Sequence, residues 1–385
     1  MPEQQSPESN LESETCSATL QKGIALCLSG GGFRAMLFHL GALLRINEAA
    51  LLPKISRVSS VSGGSITAAV LGLHWKRLVF ENGAATNFTE EIVVPIRALA
   101  SMTIDVKSIL FGIVLPGSIA DRVVKAYDKH LFKGATLQDL PSDAEGPRFV
   151  INATNVQSGV LWRFSRPYMG DYLVGRVMSP RISLAVAVAA SSACPPVLSP
   201  LEIDLKPSDF TPDPGCPLQR EPFTSKVVLS DGGVYDNLGL ETAWKRYRTI
   251  LVSDGGGALT PEENPKHDWF RHSYRVITVI DNQVRSLRKR QLIESYKRPD
   301  DGHDGAYWGI RSHIEHYCLP DALPCPEDQT LELAETSTRL ERLDARTQER
   351  LLNWGYAVCD AALRRHFDPS IAKPKGFPYS GGVGK

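Results

Sequence analysis

Buried strands and buried helices alternate along this chain. Residues 23–28 (GIALCL) are a continuous apolar run, the pattern of a parallel strand covered on both faces, and residues 36–44 (MLFHLGALL) continue as a buried helix. Ile55, Val58 and Val61 are β-branched and lead to Ser62-Gly63-Gly64, after which residues 65–71 (SITAAVL) read as a second buried helix. Strands are predicted at residues 149–155 (FVINATN), 161–165 (LWRFS), 226–230 (KVVLS), 249–252 (TILV) and 275–281 (RVITVID). Residues 121–132 predict an amphipathic helix, and residues 182–193 (ISLAVAVAASSA) a small-residue helix stopped by Pro195-Pro196. Residues 285–290 (RSLRKR) read as a basic helical face, and residues 338–367 as a long amphipathic helix or pair that caps the sheet. Such an order belongs to an α/β fold with a mostly parallel central sheet flanked by helices.

Two of the strand–helix turns are built from small residues. Ser60-x-Ser62-x-Gly64 has the form of a nucleophile elbow, in which a sharp turn lifts a serine hydroxyl to the top of the sheet. An ordinary strand–Gly-Gly–helix turn would read the same way. Gly30-Gly31-Gly32, between the first strand and its helix, frees backbone N–H groups to point at one anion. Gly30-x-Gly32-x-x-Ala35 also fits a dinucleotide fingerprint, but the next strand ends in Ser60-Val61-Ser62 where that fingerprint wants an acidic residue. The other use of the loop is an oxyanion hole beside an elbow serine. Arg34 either holds loop carbonyls, meets a phosphate, or is an exposed residue at the helix start. Two carboxylates stand at predicted strand ends and precede Gly-Gly, Asp231 (with Gly232 and Gly233) and Asp254. Either is placed for chemistry at the sheet edge.

Composition narrows the classes. The 385 residues are 42% hydrophobic and 22% charged with zero formal net charge, which points away from nucleic acid. Seven scattered cysteines (16, 27, 194, 216, 318, 325, 359), an odd number, suggest reduced thiols. The first 20 residues are polar and carry four glutamates without an apolar run, so no signal peptide is expected. The longest apolar stretch, residues 109–115, is too short to span a bilayer. A cytoplasmic protein that touches membranes peripherally is the expectation. Residues 313–318 (HIEHYC) match no zinc spacing, and neither a metal nor an organic cofactor is expected. None of the nine histidines sits in a turn after a candidate strand, so a histidine-containing triad has no nominee.

Ser29-Gly30-Gly31-Gly32-Phe33-Arg34, followed about 30 residues later by Ser60-Val61-Ser62-Gly63-Gly64, resembles the patatin-like phospholipase family. The family loop usually reads G-G-G-x-R-G and its elbow G-x-S-x-G; Ala35 and Ser60 here are small-for-small departures. Residues 190–197 (ASSACPPV) resemble the block the family carries beside its site, with Ser191 and Ser192 as packing residues. The resemblance implies a three-layer sandwich and hydrolysis of acyl esters by a Ser–Asp dyad. Its third motif, D-G-G, favours Asp231 over Asp254, because Asp236-Asn237-Leu238-Gly239 follows as in bacterial members.

On that reading Ser62 is the nucleophile, Asp231 its base, Gly30, Gly31 and Gly32 the oxyanion hole, and Arg34, Gly64, Gly232 and Gly233 support them. Burial should raise the aspartate's pKa and strengthen it as a base. The implied partner is a phospholipid or other acyl-ester lipid, cleaved as by a phospholipase A or lysophospholipase. The alternative is a membrane-binding or signalling module of the same fold with little hydrolysis. The expected layout is a disordered acidic tail (1–20), one domain (21–367) with insertions at about 81–145 and 206–225, and a frayed end (368–385). Residues 108–119 (SILFGIVLPGSI) are a core loop or a lid.

Overall fold

A computed structural model describes residues 20–104, 119–196, 198–257, 259–298 and 302–384. The acidic tail and nearly all of the apolar stretch 108–119 lie outside the described residues. β1 (Gln21–Leu28) leads into α1 (Gly32–Glu48), β2 (Ile55–Ser60) into α2 (Gly63–His74), and a short hairpin β3 (Phe80–Glu81) and β4 (Ala84–Ala85) into α3 (Val94–Ala100). After α4 (Ile119–Tyr127) come β5 (Arg148–Asn155), β6 (Val160–Phe164), β7 (Tyr168–Asp171), β8 (Gly175–Met178) and α5 (Leu184–Ser191). β9 (Leu201–Asp204), β10 (Lys226–Asp231), α6 (Gly233–Asp236), α7 (Glu241–Trp244) and β11 (Tyr247–Asp254) follow. The chain ends with α8 (Trp269–Tyr296), β12 (Asp304–Gly309), α9 (Glu327–Ala334) and α10 (Ala345–Ala362).

The main sheet runs β12-β11-β1-β2-β5-β6-β7-β8. Its five leading strands are parallel, and β6 to β8 extend it as an antiparallel meander. β10 pairs antiparallel with β5 over Leu229–Asp231 and carries β9 on its other side. Alternation along β1 shows why its second half, residues 24–28, is apolar throughout. Leu26 and Leu28 enter the large core with α1, α2, α5 and α10, while Ala25 and Cys27 enter a smaller one with Leu238, Ala243 and Leu292. Leu28 pairs with both Ser60 and Ser253, so β1, β2 and β11 finish level and send their loops out at one edge.

α1 and α10 meet backbone to backbone. A Cβ on Gly41 would fall on the carbonyl of Leu352, and one on Gly355 on that of Phe38. Near this crossing the buried Asp360 binds Arg45 (2.8 Å) and Arg364 (3.0 Å).

One expectation is corrected, and one strand had no expectation. Residues 275–281 are not a strand: they lie inside α8, whose N-terminus is capped by the Asp268 carboxylate accepting from the Arg271 N–H (3.0 Å). The β-branched residues Val276, Ile277, Val279 and Ile280 gave a strand-like composition, but a cap and an unbroken 28-residue helix override it. The strand beside β11 is β12, whose small and aromatic residues did not stand out in sequence. Residues near the end of the chain are bonded to the helices. Asn353 ties the Tyr379 N–H and the carbonyls of Tyr379 and Gly382 to α10, Arg350 holds the Val383 carbonyl, and Arg97 lies 4.7 Å from the Tyr379 ring centre.

Candidate active site

Ser62 occupies the turn between β2 and α2 with φ 51° and ψ −120°, a conformation that costs a non-glycine residue about 1–3 kcal/mol. The space around the turn explains its glycines. A Cβ on Gly63 would fall on the Gly32 carbonyl, and one on Gly64 would lie 2.5 Å from the Leu28 oxygen and 2.7 Å from that of Ser29. Any side chain at either position would drive the elbow and the glycine loop apart.

Ser191, at the end of α5, fastens this turn. Its hydroxyl accepts the Ser62 N–H at 2.9 Å and lies 2.9 Å from the Ser65 hydroxyl, which donates to that of Ser60 (3.0 Å). The Ser191 carbonyl accepts the Gly232 N–H (3.3 Å), and that of Ala193 accepts the Asp231 N–H (2.9 Å). From the other side the Thr154 hydroxyl donates to the Asp231 carbonyl (2.8 Å). The end of α5 and the strand β5 therefore hold Asp231 and Ser62 in one frame.

The Asp231 carboxylate accepts the Gly233 N–H at 2.7 Å, and the nearby Ser62 side chain favours its charged form. Both residues are buried. Burial pushes the Asp231 pKa up to about 7, an effect opposed by the Gly233 bond and the Ser62 side chain and reinforced by the charge of Asp281. Asp281 belongs to α8, as does Tyr274, whose pKa is raised by burial and by Cys194 and Asp281. This stretch of α8 thus runs beside the Ser62–Asp231 pair.

Gly31 and Gly32 take φ +145° and +59°, and Gly31 caps α1. The Gly30 N–H donates to the Asn237 carbonyl (3.1 Å), and the Asn237 side chain fills the space a Cβ on Gly30 or Gly233 would need. Gly30 therefore anchors the loop, its amide committed to Asn237. Arg34 is buried and holds carbonyls of neighbouring segments: Gly255 (3.2 Å), Ala334 (3.3 Å) and Thr336 (2.7 Å). It is neither exposed nor aimed at a phosphate.

His39 braces the same loop. Its Nε2 lies 2.9 Å from the Ser29 carbonyl, which can only accept, so Nε2 carries the proton and Nδ1 accepts from the Ser253 hydroxyl at 2.7 Å. Burial lowers its pKa to about 4 and keeps it neutral. His74 pairs with Glu91, His303 with Ser295 and Trp244, and His313 with Glu327. Asp254, the rival carboxylate, is bonded by the Tyr307 hydroxyl (2.8 Å) and the Gly256 N–H (3.0 Å) at the end of β11, with β1 between it and the elbow strand. Sequence reasoning overlooked Thr154 and Asn237, and read Ser191 as packing. Ser191 and Asn237 carried a signal through their places in family motifs; Thr154 carried none.

The fold is matched by the structure "Human GIVD cytosolic phospholipase A2", with a TM-score of 0.52 and 14% identity over 91% of this chain and 63% of that one. The same human protein in complex with methyl gamma-linolenyl fluorophosphonate matches with a TM-score of 0.50 and 15% identity, over 92% and 60% of the two chains. The chain thus spans less than two thirds of these structures. No curated protein matches in sequence. The family model described as patatin-like phospholipase matches residues 26–244, a span from the middle of β1 to the end of α7 that contains the elbow, the glycine loop and Asp231. This chain belongs to the patatin-like phospholipase family.

Proposed function

We propose that the protein hydrolyses acyl esters of lipids, with Ser62 as nucleophile and Asp231 as general base. The observation that carries this reading is the buried Asp231 carboxyl beside Ser62, its pKa raised by burial to about 7. A base is most effective with a pKa near the working pH, whereas an ordinary aspartate near 3.9 is a weak one. As the Ser62 oxygen attacks the acyl carbonyl, its proton passes to Asp231. The resulting oxyanion faces the amides of Gly31 and Gly32, with the N-termini of α1 and α2 adding their dipoles. Collapse expels the alcohol, which takes the proton back from Asp231 and leaves an acyl-serine. Water, deprotonated by Asp231, then releases the fatty acid and restores Ser62. Removing one such oxyanion donor costs about 3–4 kcal/mol of transition-state stabilisation in related chemistry, so the loop can compensate for the absence of an imidazole.

A phospholipid or other acyl-ester lipid is the substrate class the family supports. Peripheral contact with a lipid surface is supported by α8. Trp269 is 82% exposed, and Phe270, Ile277, Ile280 and Leu287 are also more than half uncovered or close to it, on a helix that runs beside the site. The basic run of α8 is partly committed elsewhere: Arg288 binds Glu241 (2.9 Å) and Arg285 the Gly257 carbonyl. Arg290 lies on the exposed face, as does Arg271, which pairs with the capping Asp268 (2.6 Å). Among the described residues no helix is long and apolar enough to cross a membrane, so contact would be made from one side.

A fluorophosphonate probe tests the reaction. Wild-type protein should gain the probe's mass at Ser62, and Ser62→Ala should gain none. Unlabelled wild type under conditions that label another serine hydrolase would instead favour a patatin-fold module without hydrolysis.

A further inference from the structure

α8 turns polar residues inward. Asp281, Arg285 and Lys289 recur every four residues along one face, while Ile277, Ile280, Val284 and Leu287 stay exposed. Arg285 donates from one Nη to the Gly257 carbonyl, and Arg288 binds Glu241 (2.9 Å) with Asp236 of α6 3.8 Å away. The charge of Asp281 reaches Asp231, and Arg285 follows one turn, about 6 Å, further along the helix.

This inner face meets the loop after β11. A Cβ on Gly31 would stand 2.9 Å from the Gly255 carbonyl oxygen, so that loop touches the glycine loop beside Ser62. The Asp254 carbonyl accepts the Ile310 N–H (2.8 Å), which brings Arg311 to the same strand end. Lys289 lies 4.4 Å from the Tyr307 ring centre. Ligands of open α/β sheets sit at this carboxyl edge.

Cations gather there. Burial, then the charge of Arg285 and to a smaller extent that of Arg311, lower the Arg34 pKa to about 10, with Asp254 opposing. Burial lowers that of Lys289, opposed by Asp254 and reinforced by Arg285. Asp254 and Asp281 are the carboxylates that act on these groups. Asp254 already accepts from Tyr307 and Gly256, and Arg34 is committed to backbone carbonyls. Among the described residues none of Arg285, Lys289 and Arg311 is ion-paired, and each is half-buried with surface left to solvent.

We propose that Arg285, Lys289 and Arg311 bind the phosphate of a monoester, placed so that it can be the headgroup of the lipid whose acyl ester Ser62 attacks. Guanidinium forks match phosphate oxygens in pairs, and a phosphate monoester near pH 7 is close to a dianion. Choline or ethanolamine on that phosphate would lower its charge and bring a further cation to the cluster. The glycerol backbone between an acyl ester and a phosphate can span the single turn from Asp281 to Arg285. The lipid form of the proposal rests on the Ser62–Asp231 reading.

Initial rates on dihexanoyl phosphatidic acid, phosphatidylcholine and diacylglycerol, each dissolved as monomers, test it without a membrane surface. Wild type should prefer phosphatidic acid in kcat/KM. The preference should fall about ten-fold or more in Arg285→Gln and in Lys289→Gln, the loss expected for one charge-assisted contact. Lys289 makes no hydrogen bond among the described residues, so Lys289→Gln decides the matter if Arg285→Gln does not fold. Lys297→Gln, just past the end of α8, removes a charge outside the cluster and should keep the wild-type preference. Calorimetric titration of the full chain with glycerol 3-phosphate is the second arm. A Lys289-dependent preference assigns the phosphate to a lipid headgroup; Lys289-dependent binding of glycerol 3-phosphate without one assigns the site to a free phosphate ester. Equal rates on the three lipids with no binding of glycerol 3-phosphate, or preference and binding unchanged in both variants, overturn the proposal. If wild type hydrolyses none of the lipids, the dyad reading fails, and the calorimetry alone decides the phosphate site.

Discussion

The backbone N–H of Ser62 donates to the hydroxyl of Ser191 at 2.9 Å, across 129 residues of sequence. Since the carbonyl of the same Ser191 takes the Gly232 N–H, one residue sets the position of the elbow relative to the Asp231 loop. Ser191→Ala should leave the Ser62 amide unsatisfied and cost about 1–3 kcal/mol of stability. Its kcat for a short-chain ester should fall further than its KM changes, because the damage is to the alignment of reacting groups and not to substrate binding. Steady-state kinetics with a thermal-unfolding control checks both.

The raised pKa of Asp231 makes two predictions of opposite sign. Activity needs the carboxylate, so kcat should rise with pH through about 7. Stability should move the other way. A carboxyl whose folded pKa lies above its unfolded value of about 3.9 contributes fully below pH 4, and that contribution is lost as pH rises through 7. Asp231→Asn, which cannot ionise, should therefore be nearly inactive at all pH values. It should match wild type in Tm near pH 4 and exceed it at pH 8–9. A variant no more stable than wild type at pH 9 would show that Asp231 is not held against its ionisation.

The turn glycines predict a graded loss. Gly63→Ala places a methyl on the Gly32 carbonyl, and neither backbone has a flexible end to move. We expect overpacking of about 1–3 kcal/mol and a large loss of kcat, since elbow and oxyanion loop must separate. Gly134→Ala, where nothing lies within 4 Å of the added carbon, is the control. Its positive φ (84°) should cost some stability while activity stays intact.

Motif-bearing turns were legible in the sequence because their chemistry requires few residue types. Small residues at 30–32 and 62–64 leave room for two backbones in contact, and a carboxylate before Gly232-Gly233 marks a strand end. What escaped was set by tertiary partners. Nothing local distinguishes Val276-Ile277-Thr278-Val279-Ile280 as helix from the same residues as strand; the Asp268 cap and the absence of a place in the sheet decide it. Likewise Asn353 ties down the chain end from 26 residues away, and Ser191 reaches Ser62 from another helix. The resemblance already favoured Asp231 over Asp254, and the sheet order adds a physical reason by putting β1 between Asp254 and the elbow.

α8 presents its apolar side chains outward beside the site, which predicts lipid-dependent behaviour. Ile277→Asp with Ile280→Asp should leave Tm close to wild type, since exposed substitutions usually shift stability by no more than about 0.5 kcal/mol. Hydrolysis of a dissolved short-chain ester should be unchanged, while binding to phospholipid vesicles and hydrolysis of their lipids fall. Trp269 fluorescence should shift to the blue on adding vesicles. If the substitutions instead abolish a concentration-dependent dimer and leave vesicle binding untouched, α8 faces a second copy and not a membrane.

Initial rates of ester hydrolysis by Ser62→Ala, Asp231→Asn and the double variant test the dyad most directly, with circular dichroism to confirm the fold. Two groups that act as one unit are strongly non-additive. Each single variant should lose nearly all activity, and the double variant should fall little below either. An Asp231→Asn protein that folds and keeps a near-normal rate at pH 7, or a double loss equal to the product of the two single losses, would contradict a Ser62–Asp231 dyad.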